Sequence, residues 1–521
     1  MIPIKQEQRM ALFGVMLVLF LSSFNLTVVG TILPKVVAEL GGMGLYAWVF
    51  TAYSLATTLA IPIFGRLSDI YSRRNILLIG IVLFAVGSTL MGLVGNMGQL
   101  IALRTVQGIG GGALMSMSIA ALADIFGARE SSRYQGLTGA VYGLSSLVGP
   151  LLGGILADAM GWRWVFPLNL PFALVAFVMI AKFLPKNEPH PNTYIDYWGA
   201  LLLSLGLLPV LIGLSLSSFQ GWSSPWVWGQ LLGGSLSLAL FVWWQLRSPG
   251  PIIAPSLFRN PVIVISTIGI LFSTASLYAA VLYLPLYMQS VKGLSATYSG
   301  LVLSPLMLGM VTTSTLSGWL MSRRGKYKGL ILVGLLVMSL GLVLASQLGV
   351  QSPLWAVISL AILLGLGLGP VNPVFNLIVQ LAVPKSMIGS AVGTLRFFNQ
   401  MGGTLGATFF GWVMLRTFQS PAAQFAGNTD ILPGVVTQAT QSPDILTNLP
   451  LLERLQTQLT SVAQMDAFQQ VLSHLRGLMS LSLDHIFLWA AGLSLFAFVI
   501  TLRLPAQLME PVLTEETPAQ P

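Results

Sequence analysis

The feature that most constrains this chain is its succession of apolar runs, each about twenty residues long, separated by short clusters of Gly, Pro and charge. A helix of ~20 apolar residues crosses the ~30 Å hydrocarbon core of a bilayer. Backbone buried in lipid must satisfy its hydrogen bonds within a helix or a closed barrel. The runs far exceed the roughly ten-residue alternating strands of a barrel. The fold class that follows is an all-α polytopic membrane protein. Charge agrees: Asp, Glu, Lys and Arg make up 8% of the 521 residues, about a third of the share in a soluble domain.

Apolar windows and their boundaries predict fourteen spans. They fall near 11–33, 46–65, 75–96, 99–122, 134–157, 164–184, 197–217, 227–246, 262–287, 297–321, 329–349, 354–377, 388–415 and 485–504. The first is too long and continuous for a cleaved leader. An even number places both termini on one side, and the basic residues choose it. With cytoplasmic termini, 17 of the 25 Lys and Arg lie inside and six lie outside, namely Lys35, Arg163, Lys292, Arg416, Arg454 and Arg476. Arg104 and Arg396 lie within spans. This bias predicts a multi-pass protein of the cell membrane with both termini cytoplasmic. The net charge of +9 therefore reports orientation, and no nucleic-acid partner is expected. The absence of cysteine excludes disulfides, thiolate metal sites and thiol catalysis.

The sequence also repeats. A charged turn, Gly65-Arg66-Leu67-Ser68-Asp69-Ile70-Tyr71-Ser72-Arg73-Arg74, has a near-copy 253 residues later, beginning Gly318-Trp319-Leu320-Met321-Ser322-Arg323-Arg324. Gly108, Gly110, Gly112, Gly136, Gly149 and Gly154 recur at Gly365, Gly367, Gly369, Gly393, Gly406 and Gly411, a constant offset of 257. The expected organisation is an N-terminal six-helix half (1–190), an inserted helix pair (191–260) and a C-terminal six-helix half (261–521). The last half carries a polar outer stretch near 419–482. Within it Leu451, Leu452, Leu455, Leu459 and Val462, then Met465, Phe468, Leu472 and Leu475, mark one apolar helix face. A cap over the outer mouth, an interfacial helix and a folded spacer all fit that pattern.

These residues resemble the major facilitator superfamily, in particular its fourteen-helix drug–proton antiporter branch. The charged turn resembles the superfamily's span 2–3 signature, with Ser72 where glycine is usual. Leu103-Arg104-Thr105-Val106-Gln107-Gly108 is similar to the span 4 motif, and Gly149-Pro150-Leu151-Leu152-Gly153-Gly154 to the antiporter motif of span 5. Trp162-Arg163-Trp164, Asn169-Leu170-Pro171 and Tyr283-Leu284-Pro285-Leu286-Tyr287-Met288-Gln289 look like markers of the branch. The resemblance implies a secondary transporter exporting hydrophobic or amphipathic small molecules by alternating access, coupled to protons.

Several site expectations follow. Asp69, among Arg66, Arg73 and Arg74 and next to Gly65, is expected to latch the cytoplasmic side through charge-assisted bonds. Gly149, Pro150, Gly153 and Gly154 bend span 5 and admit close neighbours. An arginine inside a span is costly and normally faces the bundle interior or water. Arg104 and Arg396 are therefore expected to line a substrate cavity with Asn25, Gln107, Asn372, Asn376, Asn399 and Gln400. Trp48, Tyr53, Phe397 and Phe398 would supply apolar surface.

One departure from the resemblance stands out: the acid usual in the middle of span 1 is Asn25. None of the sixteen acids falls near the middle of a predicted span, and the three histidines lie at loops or ends. The remaining titratable candidate is Asp158 at the outer end of span 5. It is expected to form a protonation-sensitive outer gate with Arg416, or to pair with its neighbour Arg163. Buried cationic drugs want a buried counter-charge, whereas the two arginines favour neutral or anionic ligands, so lipids or lipid-linked amphiphiles are the rival substrate class. A non-transporting receptor is the distant one. The spans hold no nucleophile–base set, no metal ligands and no phosphate-binding glycine loop followed by Lys-Ser/Thr. The expectation is a monomeric non-enzyme without metal or cofactor, whose partners are its substrate, membrane lipids and protons.

Overall fold

The structure is a computed structural model that describes residues 5–126, 128–186, 196–324, 327–384, 387–427, 446 and 462–505. Among the described residues there is no β-strand. The first group of helices is α1 (Gln6–Leu40), α2 (Tyr46–Ile70), α3 (Arg73–Met91), α4 (Met97–Phe126), α5 (Ala128–Ala159) and α6 (Asn169–Phe183). The inserted pair is α7 (Tyr197–Gln220) and α8 (Pro225–Gln245). The rest are α9 (Pro261–Leu286), α10 (Ala296–Arg324), α11 (Lys328–Ala345), α12 (Leu354–Leu368), α13 (Val371–Leu381), α14 (Ile388–Gly427) and α15 (Val462–Thr501).

Every predicted span falls on a helix. The run 354–377 is shared between α12 and α13, which part at Gly369-Pro370, where proline has no N–H to continue the ladder. Among the described residues eleven helical stretches are long and apolar enough to cross a membrane; the glycine-rich α4, α5 and α14 carry the other three predicted spans.

The repeat has a packing counterpart. A side chain at Gly108 would strike Tyr53 and Ala56 of α2, and one at Gly365 would strike Leu306 of α10. Gly110 faces Gly80 and Phe84 of α3, and Gly367 faces Gly334 and Met338 of α11. Glycine is needed there because two backbones touch. Further along, Gly154 of α5 meets Ala296 and Thr297 of α10, while Gly411 of α14 meets Ala47 of α2. The same glycine position thus joins each bundle to the other, and α5 on α10 and α2 on α14 are the two main seams.

Three of four apolar cores describe how the halves meet. One lies wholly within α1–α6 and their loops, from Ala11, Ile76 and Leu114 to Leu184. A second lies in the C-terminal part, from Leu257 and Ile331 to Leu504. The third is shared, running from Val28, Val37 and Phe50 to Tyr283, Met288 and Phe410. The halves share a core at the end carrying Lys35, and among the described residues none is shared at the other.

The inserted pair packs as a hairpin, with Gly234 of α8 against Gly206 and Val210 of α7. It leans on the α2–α14 seam: Leu203, Leu207 and Leu211 share a core with Leu55 and Phe397, and Trp48 Nε1 donates to Ser215 Oγ at 2.6 Å. Beyond the bilayer, α14 and α15 each run for 40 residues, about 60 Å at 1.5 Å per residue. Of the predicted amphipathic stripe, Phe468, Leu472 and Leu475 are buried in the shared core. Leu451 to Leu459 lie outside the described residues.

Candidate functional site

The N-terminal half holds a closed polar cluster at mid-depth. Arg104 of α4 donates to Asn25 Oδ1 of α1 and to Gln107 Oε1 at 2.6 Å, one helical turn along. Its guanidinium carbon sits 5.4 Å from the Tyr53 ring centre and 5.6 Å from that of Phe166, within cation–π reach. Arg104 and Asn25 are each 1% exposed and Gln107 is 0%. The three predicted cavity residues are therefore brought together, but sealed rather than lining an open space. Among the described residues Arg104 makes no ion pair.

The C-terminal half arranges its polar residues differently. Asn399 Nδ2 donates to Asn372 Oδ1 at 2.8 Å and to Thr274 Oγ1 at 3.1 Å. Asn376 Nδ2 donates to the Asn372 carbonyl at 2.9 Å. Asn372 and Arg396 are exposed, as are Gly389 and Gly393 on the same face of α14 as Arg396. Gln400 is buried. Phe397 and Phe398 pack edge-on against each other and do not join the asparagines.

The predicted outer end is closed by bonds that cross between halves. Tyr46 Oη donates to the Leu282 carbonyl at 2.9 Å. Thr51 and Thr408 hydroxyls meet at 3.0 Å, and Gln289 Nε2 donates to the Thr31 carbonyl at 2.8 Å. Gln289 belongs to a π-helix, Tyr287–Val291, that follows Pro285, and π turns often mark functional positions. Gly300 of α10 packs on the Pro150 carbonyl, where an added Cβ would lie at 2.2 Å. This places Pro150 and Gly154 of the antiporter motif directly at the seam, while Gly149 and Gly153 pack against Thr27 and Val28 of α1.

Asp158 also belongs to this closure, with a different partner from the one expected. It pairs with Lys35 at 2.5 Å and accepts from the Thr297 backbone N–H of α10 at 2.7 Å. Arg416 is exposed and is not the partner. Nor is Arg163, which pairs with Glu39 and stacks on Trp162. Glu39 also accepts from Trp162 Nε1 at 2.6 Å. The cause is spacing: Lys35 and Glu39 lie one turn apart on α1 and face an acid and a base five residues apart at the end of α5. Burial raises the Asp158 carboxyl pKa, but the bonds from Lys35, Thr297 and Ser295 outweigh it and hold it at about 2. In this geometry the clasp favours the ionised carboxylate.

At the opposite end no such crossing is found among the described residues. Gly65, Gly318, Gly389 and Gly393 have nothing within 4 Å of an added Cβ. The Asp69 side chain lies outside the described residues. Of the arginines expected around it, the Arg66 side chain also lies outside the described residues, Arg73 pairs with Asp124 of α4, and Arg74 donates to the Ala181 carbonyl of α6.

A family profile, the Major Facilitator Superfamily, matches residues 15–407. The chain belongs to the major facilitator superfamily. A relative from Bacillus subtilis, the multidrug transporter protein MdtP, is 32% identical over 470 residues covering 86% of each chain. Multidrug resistance protein 3 of the same organism is 30% identical over 417 residues, 79% of this chain and 80% of that one. Among solved structures, a bacterial homologue of the human lysosomal transporter Spinster, in an inward-facing unoccupied conformation, superposes with a TM-score of 0.64. It has 14% identity and covers 96% of this chain and 98% of that one; it shows the shared fold. This facilitator is a multi-pass membrane transporter of small molecules, not an enzyme.

Sequence reasoning missed three positions that shape this facilitator. Lys35 and Glu39 are one such pair, and the complementary charge spacing on α1 and α5 was their signal. The third is Asp196, 3% exposed, at the start of α7. It accepts from the Gly199 N–H at 2.8 Å, Trp244 Nε1 at 2.6 Å and Gln245 Nε2 at 2.6 Å. Gln245 Oε1 in turn accepts from the Ile253 N–H at 3.1 Å. The inserted hairpin is thereby tied shut at one end and tied to the linker before α9. Its signal was an Asp in the N-cap position.

Proposed function

We propose that the chain exports hydrophobic or amphipathic small molecules across the cell membrane by alternating access, and that the structure is its inward-facing state. The observation that carries the reading is the contrast between a shared, bonded core at the Lys35 end and two separate cores with open glycine faces at the other. Two rigid halves, 1–190 and 261–521, would rock about a midplane site, with 191–260 as a side wall on one seam. The names of the relatives support multidrug substrates, and the positive-inside count supports cytoplasmic termini. Proton coupling enters only through the resemblance. Reconstituted efflux of a hydrophobic dye from liposomes, with and without an imposed pH gradient, tests it. Efflux that follows the gradient supports proton-coupled export, whereas dye that never moves under any gradient rejects the export reading.

A second substrate class is favoured by a specific feature, the exposed Arg396, one helical turn before Asn399, which donates to the exposed Asn372. An anionic amphiphile or lipid headgroup suits such a surface better than a cation does. Parallel assays with a cationic dye and an anionic lipid analogue separate the two. Gradient-dependent movement of the cationic dye alone would remove the anionic reading.

A further inference from the structure

We propose that Asn25, Arg104 and Gln107 form a built site for one negative charge, a substrate carboxylate or a free halide, which takes the place of a protein carboxylate. Arginine is permanently charged in proteins, and a buried charge is stable only when it is paired and hydrogen-bonded. Here its partners are two neutral amide oxygens and two aromatic rings. Among the described residues no carboxylate forms an ion pair with it.

Three donors of the cluster are left over. Arg104 Nε, Asn25 Nδ2 and Gln107 Nε2 are buried and have no acceptor among the described residues. The amide orientations are fixed by the guanidinium, because turning either one over would aim N–H groups at a cation. A buried orphan donor costs ~1–3 kcal/mol. Three of them around a cation lack one thing, an acceptor that carries negative charge. Water can satisfy an amide donor but cannot neutralise the guanidinium.

One uncompensated cation specifies one negative charge, and the site is sealed in the state described, with each of the three side chains at most 1% exposed. The anion must therefore enter when the halves part. That last statement rests on the alternating-access reading; binding itself does not.

The test uses the purified full-length chain in detergent. Thermal unfolding is followed in sodium chloride and in sodium gluconate at equal ionic strength, gluconate being too strongly hydrated for a site walled by two aromatic rings. In the gluconate buffer, 1-naphthylacetate is compared with the neutral 1-naphthylacetamide. At least one small or aromatic anion is expected to raise Tm, on the order of 5 °C at saturation, while the amide does not. Chloride alone identifies a free halide as the occupant, naphthylacetate alone a substrate carboxylate, and a shift with both a shared site. Asn25→Asp, which supplies the missing carboxylate, is expected to abolish the shift; should it fail to fold, Gln107→Glu supplies the charge from α4 with the same reading. No anion-dependent shift in the wild type, an equal shift with the amide, or an undiminished shift in the carboxylate variant overturns the site. Dye efflux from liposomes runs alongside. An anion-dependent Tm without any flux leaves the site standing and rejects the transport reading instead.

Discussion

The two ends of the bundle are built from the same repeated glycine pattern, yet they are held in opposite ways. At the Lys35 end, apolar side chains of both halves merge into one core and four polar contacts cross the seam. At the Arg66 end each half keeps a core of its own, and Arg73 and Arg74 of the charged turn engage Asp124 and the Ala181 carbonyl inside their own half. The difference teaches where the switch is. Each half keeps a core of its own at one end, and the contacts that would have to break, a shared apolar core and four crossing polar bonds, are gathered at the other.

The strongest way to break the contrast is to keep the closed end from closing. Gly300→Val places a side chain 2.2 Å from the Pro150 carbonyl, where backbone and not a flexible side chain stands in the way. Overpacking costs ~1–3 kcal/mol, about 5–150-fold in the balance between states, and the top of that range is expected here. Liposome efflux should fall by about 100-fold while the protein still purifies as a folded species. Gly318→Val, whose Cβ meets nothing within 4 Å, is the matched control at the open end and should keep most of its activity. Equal loss from both substitutions would erase the distinction.

A covalent version sharpens it. The chain has no cysteine, so introduced thiols are the only ones. Thr51→Cys with Thr408→Cys places two thiols where hydroxyls lie 3.0 Å apart, close to disulfide geometry. Oxidation should crosslink the seam and arrest transport, and reductant should restore it. Gly65→Cys with Gly389→Cys, at ends that meet nothing, should resist crosslinking under the same oxidant. Rapid crosslinking of that second pair would mean that the open end closes readily.

A smaller effect is expected from the clasp. The Lys35 and Asp158 side chains are 30% and 24% exposed, so solvent screens the pair and ~1 kcal/mol is an upper expectation, about a 5-fold shift toward the outward-open state. Lys35→Ala should slow crosslinking of the Thr51/Thr408 pair by that factor, and Lys35→Asp with Asp158→Lys should recover part of it. The pH sign is fixed by the depressed carboxyl. With a closed-state pKa of about 2, below the usual carboxylate value of ~4, the clasp contributes fully above pH ~4 and fades as pH falls toward 2. Between pH 5.5 and 8 the crosslinking rate should not depend on Asp158 ionisation. A wild-type pH profile in that window that disappears in Asp158→Asn would return Asp158 to a protonation role.

Much of this fold is legible in the sequence because lipid removes alternatives. A twenty-residue apolar run in a bilayer has one local structure open to it, so span positions follow from hydropathy, and a constant glycine offset follows from backbones that must touch. The pairing of charges is less legible. Asp158 has Arg163 five residues away in sequence, but α5 ends between them and the chain turns at Gly161, a positive-φ position, which carries Arg163 to Glu39 and leaves Asp158 for Lys35. Likewise Arg104 and Asn25 could be assigned to one site from their depth in the bilayer. That the site is sealed while Arg396 stands open could not, because it depends on which state of the rocking motion is populated.

The smallest predicted effect lies in the charged turn itself, and it tests the comparison most directly. Arg73 and Asp124 are both in the N-terminal half, on α3 and α4, which moves as one body in the proposed rocking. Asp124→Asn removes a partly buried partner and should lower Tm slightly, a loss of ~1 kcal/mol or less for a screened pair. It should not alter the balance between outward-open and outward-closed states, because the pair is present in both. The measurement is again the crosslinking rate of the Thr51/Thr408 cysteine pair, now in the Asp124→Asn background, set beside the Lys35→Ala result. An unchanged rate with a slightly lowered Tm supports a charged turn that braces its own half in this state. A shift as large as that from Lys35→Ala would mean that Arg73, once released from Asp124, reaches across the inner end, and that the latch resides in the turn after all.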